Sequence, residues 1–182
     1  MLVTAALTPA SANETLWSLL AGGGQVVMMR HASTVSGVGD PPRFDLRDCT
    51  TQRNLSEVGR QESRRIGVAV RARAIPIGRV LSSQWCRCFE TARLAFGRAE
   101  LWSPLDSHFN DRAREAAQTP AVRALAAERP ANGNLVMVTH QVNVRAVTGI
   151  APEPGEMVVL TPHGDGQFTV AGRLSPAALT PR

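Results

Sequence analysis

Arg30-His31, Arg87 and His140 are the residues of this chain whose types suit chemistry on an anion. A neutral imidazole is a nucleophile near neutral pH, and guanidinium groups donate paired N–H bonds to phosphoryl oxygens. Together these guanidinium and imidazole groups could bind the oxygens of a phosphate. Each follows an apolar run. Gln25-Val26-Val27-Met28-Met29 precedes Arg30-His31, Val80-Leu81 precedes the segment bearing Arg87, and Leu135-Val136-Met137-Val138-Thr139 precedes His140. In an open parallel sheet, ligands bind beyond the carboxyl ends of the strands, where these residues would meet.

Other chemistries fit less well. All 20 basic side chains are arginine, so a Walker-type phosphate loop and Schiff-base chemistry, both of which need lysine, are excluded. A cysteine-based phosphatase needs arginine six places after its cysteine, where this chain has Leu55, Ala92 and Leu94. Zinc held by His31, His140 and an aspartate would leave Arg30 and Arg87 unexplained, because guanidinium groups repel a dication. Met28-Met29 reads as core strand. His163, in the turn Pro162-His163-Gly164-Asp165-Gly166, reads as a surface histidine, and His108 reads as a solvated loop histidine with the pocket mouth as its alternative place.

The pattern of elements must position these groups. Asn13 to Leu20 reads as a short helix ending at Gly22-Gly23-Gly24. Ala32 to Asn54 is a loop rich in breakers, including Asp40-Pro41-Pro42. Its Arg43, Arg47 and Arg53 would shape a pocket rim. Ser56 caps a helix to about Arg73, with Val58, Ile66, Ala69 and Val70 inward and Arg60, Arg64, Arg65 and Arg71 outward. A second helix runs from about Trp85 to Phe96 with Phe89, Ala92 and Phe96 on one stripe. Leu101-Trp102 is a short strand, Ser103 to Thr119 is irregular, and Pro120 to Glu128 is a helix. Val142 to Val147 is helical up to Gly149, and Met157 to Leu160 pairs with Phe168 to Val170 as a hairpin at the sheet edge. Strands alternating with helices predict an α/β/α three-layer sandwich with a mainly parallel sheet.

At 182 residues, 43% hydrophobic and 19% charged, the chain suits one soluble domain over 25–182 behind an N-terminal segment, 1–24. No apolar run is long enough to span a bilayer. The net charge of +5 comes from arginines spread along the chain without interleaved aromatics, which does not predict nucleic-acid binding. Leu2 to Leu7, Pro9 and Ala10-Ser11-Ala12 resemble the end of a secretory signal, although no basic residue precedes them. Export to the periplasm or beyond is therefore expected, with the cytoplasm as the alternative. In an exported protein Cys49 would pair with Cys86 or Cys88, and the sequence does not choose between them.

Four ordered motifs resemble the histidine phosphatase superfamily, of phosphoglycerate-mutase-like fold. Arg30-His31-Ala32 followed by Thr34 matches its Arg-His-Gly/Ala and Ser/Thr element. Leu55-Ser56-Glu57-Val58-Gly59-Arg60-Gln61 matches its helix start with the glutamine one place early. Ser82-Ser83 through Arg87 to Thr91-Ala92, and Val138-Thr139-His140, complete the set. The resemblance implies a phosphatase acting through a phosphohistidine on His31, with Arg30, Thr34, Arg87 and His140 binding phosphate and no metal or other cofactor. Phe109-Asn110-Asp111-Arg112 resembles the family's Leu-Asn-Glu-Arg stretch, so Asp111 is the implied proton donor, with Asp106 and Glu115 as rivals. The substrate would be a small phosphorylated molecule or a phosphoprotein. A mutase, whose enclosing insertions this chain is too short to hold, and a non-catalytic phosphate-binding module are the alternatives.

Overall fold

The structure, a computed structural model, describes residues 9–179. Met1 to Thr8, the greater part of the signal-like stretch, lie outside the described residues, while Ala10-Ser11-Ala12 falls within the first helix, α1 (Pro9–Ala21). The remaining order is β1 (Val26–Arg30), α2 (Glu57–Ala72), β2 (Ile77–Ser82), α3 (Cys86–Phe96), β3 (Glu100–Leu101), α4 (Ala113–Ala127), β4 (Asn134–Thr139), α5 (Gln141–Thr148), β5 (Met157–Pro162) and β6 (Phe168–Leu174). The strands form one sheet in the order β3-β2-β4-β1-β5-β6. The first four are mutually parallel, and β5 and β6 add antiparallel.

Side chains alternate across β1 because the strand period is two. Val27 and Met29 face a core built with Leu16, Trp17 and Leu20 of α1, Ile66, Ala69 and Val70 of α2, and Cys88, Ala92 and Ala95 of α3. Val26 and Met28 face the opposite core, with Val122 and Ala126 of α4 and Val144 and Val147 of α5. Helices therefore cover both faces of a mainly parallel sheet, the predicted three-layer sandwich. Every residue of β4 is buried, which explains why its run is the most continuously apolar in the chain. Residues 13–21 also contribute to the first core, so α1 packs with the elements after residue 25. Among the described residues no helix is long and apolar enough to cross a membrane.

Register places the chemistry. Arg30 pairs with Thr139 on β1 and β4, and Ser82 pairs with Val138 on β2 and β4. The next residues, His31, His140 and Ser83, therefore leave three adjacent parallel strands at the same edge. At the start of α2 the Ser56 hydroxyl accepts from the Gly59 N–H at 3.1 Å and donates to the Ser33 carbonyl at 3.2 Å. A β-carbon on Gly59 would collide with the Ser33 carbonyl oxygen, so glycine lets the helix start close against the chain leaving β1.

Several expectations are corrected. Val58 is 57% exposed, because the inward side of α2 is Gly59, Ser63, Ile66, Gly67, Ala69 and Val70, and Val58 sits one residue off that stripe. Arg60 does not simply face solvent but donates to Glu90 at 2.7 Å. On α3 the buried set is Arg87, Cys88, Thr91, Ala92 and Ala95, which rotates Phe89 to the surface. Helix α4 begins at Ala113, seven residues before the predicted start, and carries Pro120 in its interior. Proline suits the first turn of a helix, which is why Pro120 reads as a beginning; here it costs one backbone hydrogen bond within the helix.

Candidate active site

His31 follows β1 and is 4% exposed. Its backbone N–H donates to the Thr139 carbonyl at 2.9 Å, which fixes it to the end of β4. Its Nδ1 lies 2.8 Å from the Ala32 carbonyl oxygen. A carbonyl can only accept, so the proton of the neutral ring sits on Nδ1 and Nε2 keeps its lone pair. Burial, then Arg87, then Arg30 and Arg53 push its pKa down to about 3 against one opposing bond to Ala32. The ring is neutral near pH 7, the form in which an imidazole is a nucleophile.

His140 follows β4 as the N-cap residue of α5. Its ring stands edge-on to that of His31, with centroids 5.4 Å apart. Burial is the first cause, and His31, Arg87, Arg53 and Arg30 further causes, that hold its pKa well below the usual histidine value. Arg87 enters from the first turn of α3, stacked 4.4 Å over the Trp85 ring, and pairs with Asp40 through Nη1 at 2.8 Å and Nη2 at 3.2 Å. Arg30 donates Nη1 to the Pro152 carbonyl at 2.9 Å.

These groups share a cavity of about 450 Å³ with Asp40, Arg53, Phe109, Asp111 and Arg114. The structure thus brings together Arg30, His31, Arg87, His140 and Asp111. Thr34 does not line the cavity; its backbone bridges to Leu55. Of the rim arginines, Arg53 lines the cavity, whereas Arg47 is exposed and paired with Asp45. Asp106 is fully buried behind the pocket. His108 is buried rather than solvated, with Nδ1 3.5 Å from Glu115, because α4 starts early enough to bring Glu115 against it.

Three residues that the motifs did not assign to the site belong to its structure. Asp40, readable only as a turn breaker, is the carboxylate partner of Arg87. Arg53 adds a third guanidinium, and its carbonyl accepts from Arg87 Nη1 at 3.3 Å. Ser83 contacts His140, its Oγ 3.0 Å from Nε2. Cys49 is bridged to Cys86, leaving Cys88 free and buried. The bridge fastens the loop after β1 to the start of α3, where the Cys86 N–H also donates to Gln52 Oε1 at 3.0 Å. Among the described residues no three His, Cys, Asp or Glu side chains gather as a metal-binding group.

No family model and no curated protein matches the sequence. Solved structures do match it in fold. The protein histidine phosphatase SixA, complexed with tungstate, aligns over 86% of this chain and 99% of its own, at 20% identity and a TM-score of 0.63. A phosphoserine phosphatase mutant from Entamoeba histolytica, in complex with phosphoserine, aligns over 86% and 99%, at 11% identity and a TM-score of 0.62. The Mycobacterium tuberculosis protein Rv3214 aligns over 80% and 95%, at 17% identity and a TM-score of 0.59. The chain has the phosphoglycerate-mutase-like fold that these structures share.

Proposed function

We propose that the protein is a phosphatase that cleaves phosphomonoesters, or phosphorylated groups on proteins, through a phosphohistidine on His31. The supporting observation is the bond from His31 Nδ1 to the Ala32 carbonyl, which leaves Nε2 unprotonated in a cavity lined by Arg30, Arg53, Arg87 and His140. Nε2 attacks phosphorus in line, the P–O bond to the alcohol breaks, and the guanidinium groups stabilise the charge on the remaining oxygens. Asp111, on the cavity wall, gives its proton to the leaving oxygen. A water then attacks the phosphohistidine, returning the proton to Asp111 and releasing phosphate. The guanidinium groups supply the positive charge that a metal ion would otherwise provide, so the reaction runs without one. The Cys49–Cys86 bridge favours an oxidising compartment, as expected for an exported protein.

The test is hydrolysis of p-nitrophenyl phosphate with and without EDTA, beside His31→Ala and an acid-quench search for phosphorylated enzyme. The expected result is EDTA-resistant turnover, abolished by the substitution, with an acid-labile, base-stable adduct on His31. Turnover that survives His31→Ala, or is lost on chelation, overturns the proposal. A panel of small phosphomonoesters and phosphohistidine-containing proteins then separates the substrate classes.

A further inference from the structure

We infer that Asp106 is a positioning residue for this reaction, a buried carboxylate that acts through the Ser83 hydroxyl to keep a proton on Nε2 of His140 and to support a second proton on that ring once a phosphoryl group is bound. The inference rests on the phosphatase reading of the pocket.

The chain of contacts is short and enclosed. Asp106 follows the single turn Ser103–Leu105 and has no exposed surface. Its carbonyl accepts from Asn143 Nδ2 at 2.9 Å, which holds it against α5. Oδ1 accepts from the Ser83 hydroxyl at 2.9 Å and from the Gln84 N–H at 2.7 Å. Ser83 Oγ in turn lies 3.0 Å from His140 Nε2. Oδ2 has no hydrogen-bond partner, and its nearest cation is Arg114 Nη2 at 3.7 Å.

Ser83 has one proton. A carboxylate can only accept, so while Asp106 is ionised that proton points to Oδ1, and Ser83 must receive its bond from His140. Nε2 of His140 is then protonated, which leaves Nδ1 as the nitrogen that gains or loses the second proton. In the empty pocket His31, Arg30, Arg53 and Arg87 surround this ring and oppose that proton, and the nearby Cys88 thiol, which burial pushes up to about 12, is neutral. A bound phosphoryl dianion offsets the guanidinium groups from the cavity side. Asp106 offsets them from the inner side, opposed by Arg114. The second proton on His140 comes from solvent or from the acidic oxygen of the substrate monoanion, and it lets His140 donate to the phosphoryl oxygens as charge builds. Burial raises the pKa of Asp106 against the bonds from Gln84 and Ser83, so the relay fails on the acid side. Below the Asp106 pKa the carboxyl no longer takes the Ser83 proton and the relay is lost.

The test compares wild type, Ser83→Ala, Ser83→Thr, Asp106→Asn and the Ser83→Ala/Asp106→Asn double variant, each checked for folding by thermal melt. For p-nitrophenyl phosphate, Ser83→Ala and Asp106→Asn should each lower kcat by roughly 10- to 100-fold, the scale of losing an orienting partner, with little change in KM. Ser83→Thr, which keeps the hydroxyl, should restore most of kcat. The double variant should be no worse than the poorer single one, and the acid limb of kcat/KM should move in both single variants. Multiplicative losses, losses carried by KM, or unmoved pH profiles overturn the relay. Histidine NMR of the phosphate-loaded protein reads the same point without turnover. The His140 pKa should fall in Ser83→Ala, and an unchanged value overturns the inference even if wild type proves inactive, in which case the phosphatase reading fails separately. If Asp106→Asn does not fold, the Ser83 variants carry both measurements.

Discussion

Replacing His31 with asparagine should flatten the pH dependence of stability on the acid side, and the size follows from the burial of this ring. Its pKa falls from the model-compound value of 6.5 to about 3 in the folded chain, first through burial and then through Arg87. Between these values the unfolded chain binds a proton that the native chain refuses. Stability is therefore fully present above pH 6.5 and declines as pH falls toward 3. From pH 7 to pH 5 the loss from this one group is about 2 kcal/mol, a large share of the 5–15 kcal/mol typical of a domain. Asparagine can still donate to the Ala32 carbonyl but does not titrate. Urea unfolding of both proteins at pH 7 and pH 5 should show wild type losing about 2 kcal/mol more than His31→Asn over that interval. His140, also held low, titrates in both proteins and largely cancels in the difference. Parallel losses in the two proteins would mean that His31 is not buried as a neutral base, and the proposed nucleophile would lose its physical basis.

Asp40→Ala should leave the buried Arg87 charge unpaired and lower stability by roughly 3–5 kcal/mol, and added phosphate should raise the melting temperature more than in wild type; an equal phosphate shift in both refutes Arg87 as a phosphate contact. Cys49→Ala/Cys86→Ala opens a cross-link of sequence separation 37, so it should destabilise unfolding equilibria by about 4 kcal/mol and raise KM by freeing Arg53 and Asp40; unchanged KM would show that the loop needs no staple. Asp111→Asn should lower kcat/KM by roughly 100-fold or more for alkyl phosphates, whose alkoxides need a proton, and far less for p-nitrophenyl phosphate, whose phenolate does not. Equal losses on both substrates would remove Asp111 as the proton donor. Gly59→Ala should melt below wild type, because the added carbon meets the Ser33 carbonyl; a melt at or above wild type would show that the start of α2 has room for it.

How much of this was legible depends on where each cause lies along the chain. β1 and β4 were readable because a strand buried on both faces must be continuously apolar, and the residues that follow such strands are the ones a parallel sheet presents to a ligand. Helix faces were harder. Val58 and Phe89 are apolar, so periodicity alone drew them inward, yet a one-residue rotation of the stripe puts both on the surface. The start of α4 was lost because Pro120 carries two opposite local meanings, and packing chose the rarer one. The disulfide needed distance: Cys86 and Cys88 lie almost equally far from Cys49 in sequence, but on α3 Cys88 points into the core while Cys86 meets the loop. Asp40 was invisible as a site residue, and Asp106 was legible only as a rival acid, for the same reason. Asp40 acts on Arg87 across 47 residues and Asp106 on Ser83 across 23, and no local spacing encodes either contact.

The two carboxylates divide one electrostatic problem. The guanidinium groups of Arg30, Arg53 and Arg87 crowd the two imidazoles in one cavity, and charging all five would cost far more than a small domain can sustain. The histidines stay neutral first because they are buried and then because the arginines beside them hold the charge, and both rings have pKa values shifted downward. Arg87, the most buried of the three, is balanced at once by Asp40, so the empty pocket carries less excess charge than its residue list suggests. Asp106 sits on the far side of Ser83, where it adds nothing to the surface that meets a ligand but sets the proton position on His140. A dianion arriving from solvent therefore meets guanidinium groups in front and a proton-ready imidazole behind. The order matters, because a charged His140 in the empty pocket would add a fourth cation beside His31 and suppress its basicity further. Neutral before binding and protonated after, His140 reports that the phosphoryl group is present, which is why its titration, with and without phosphate, discriminates this arrangement from one in which the ring is merely packed.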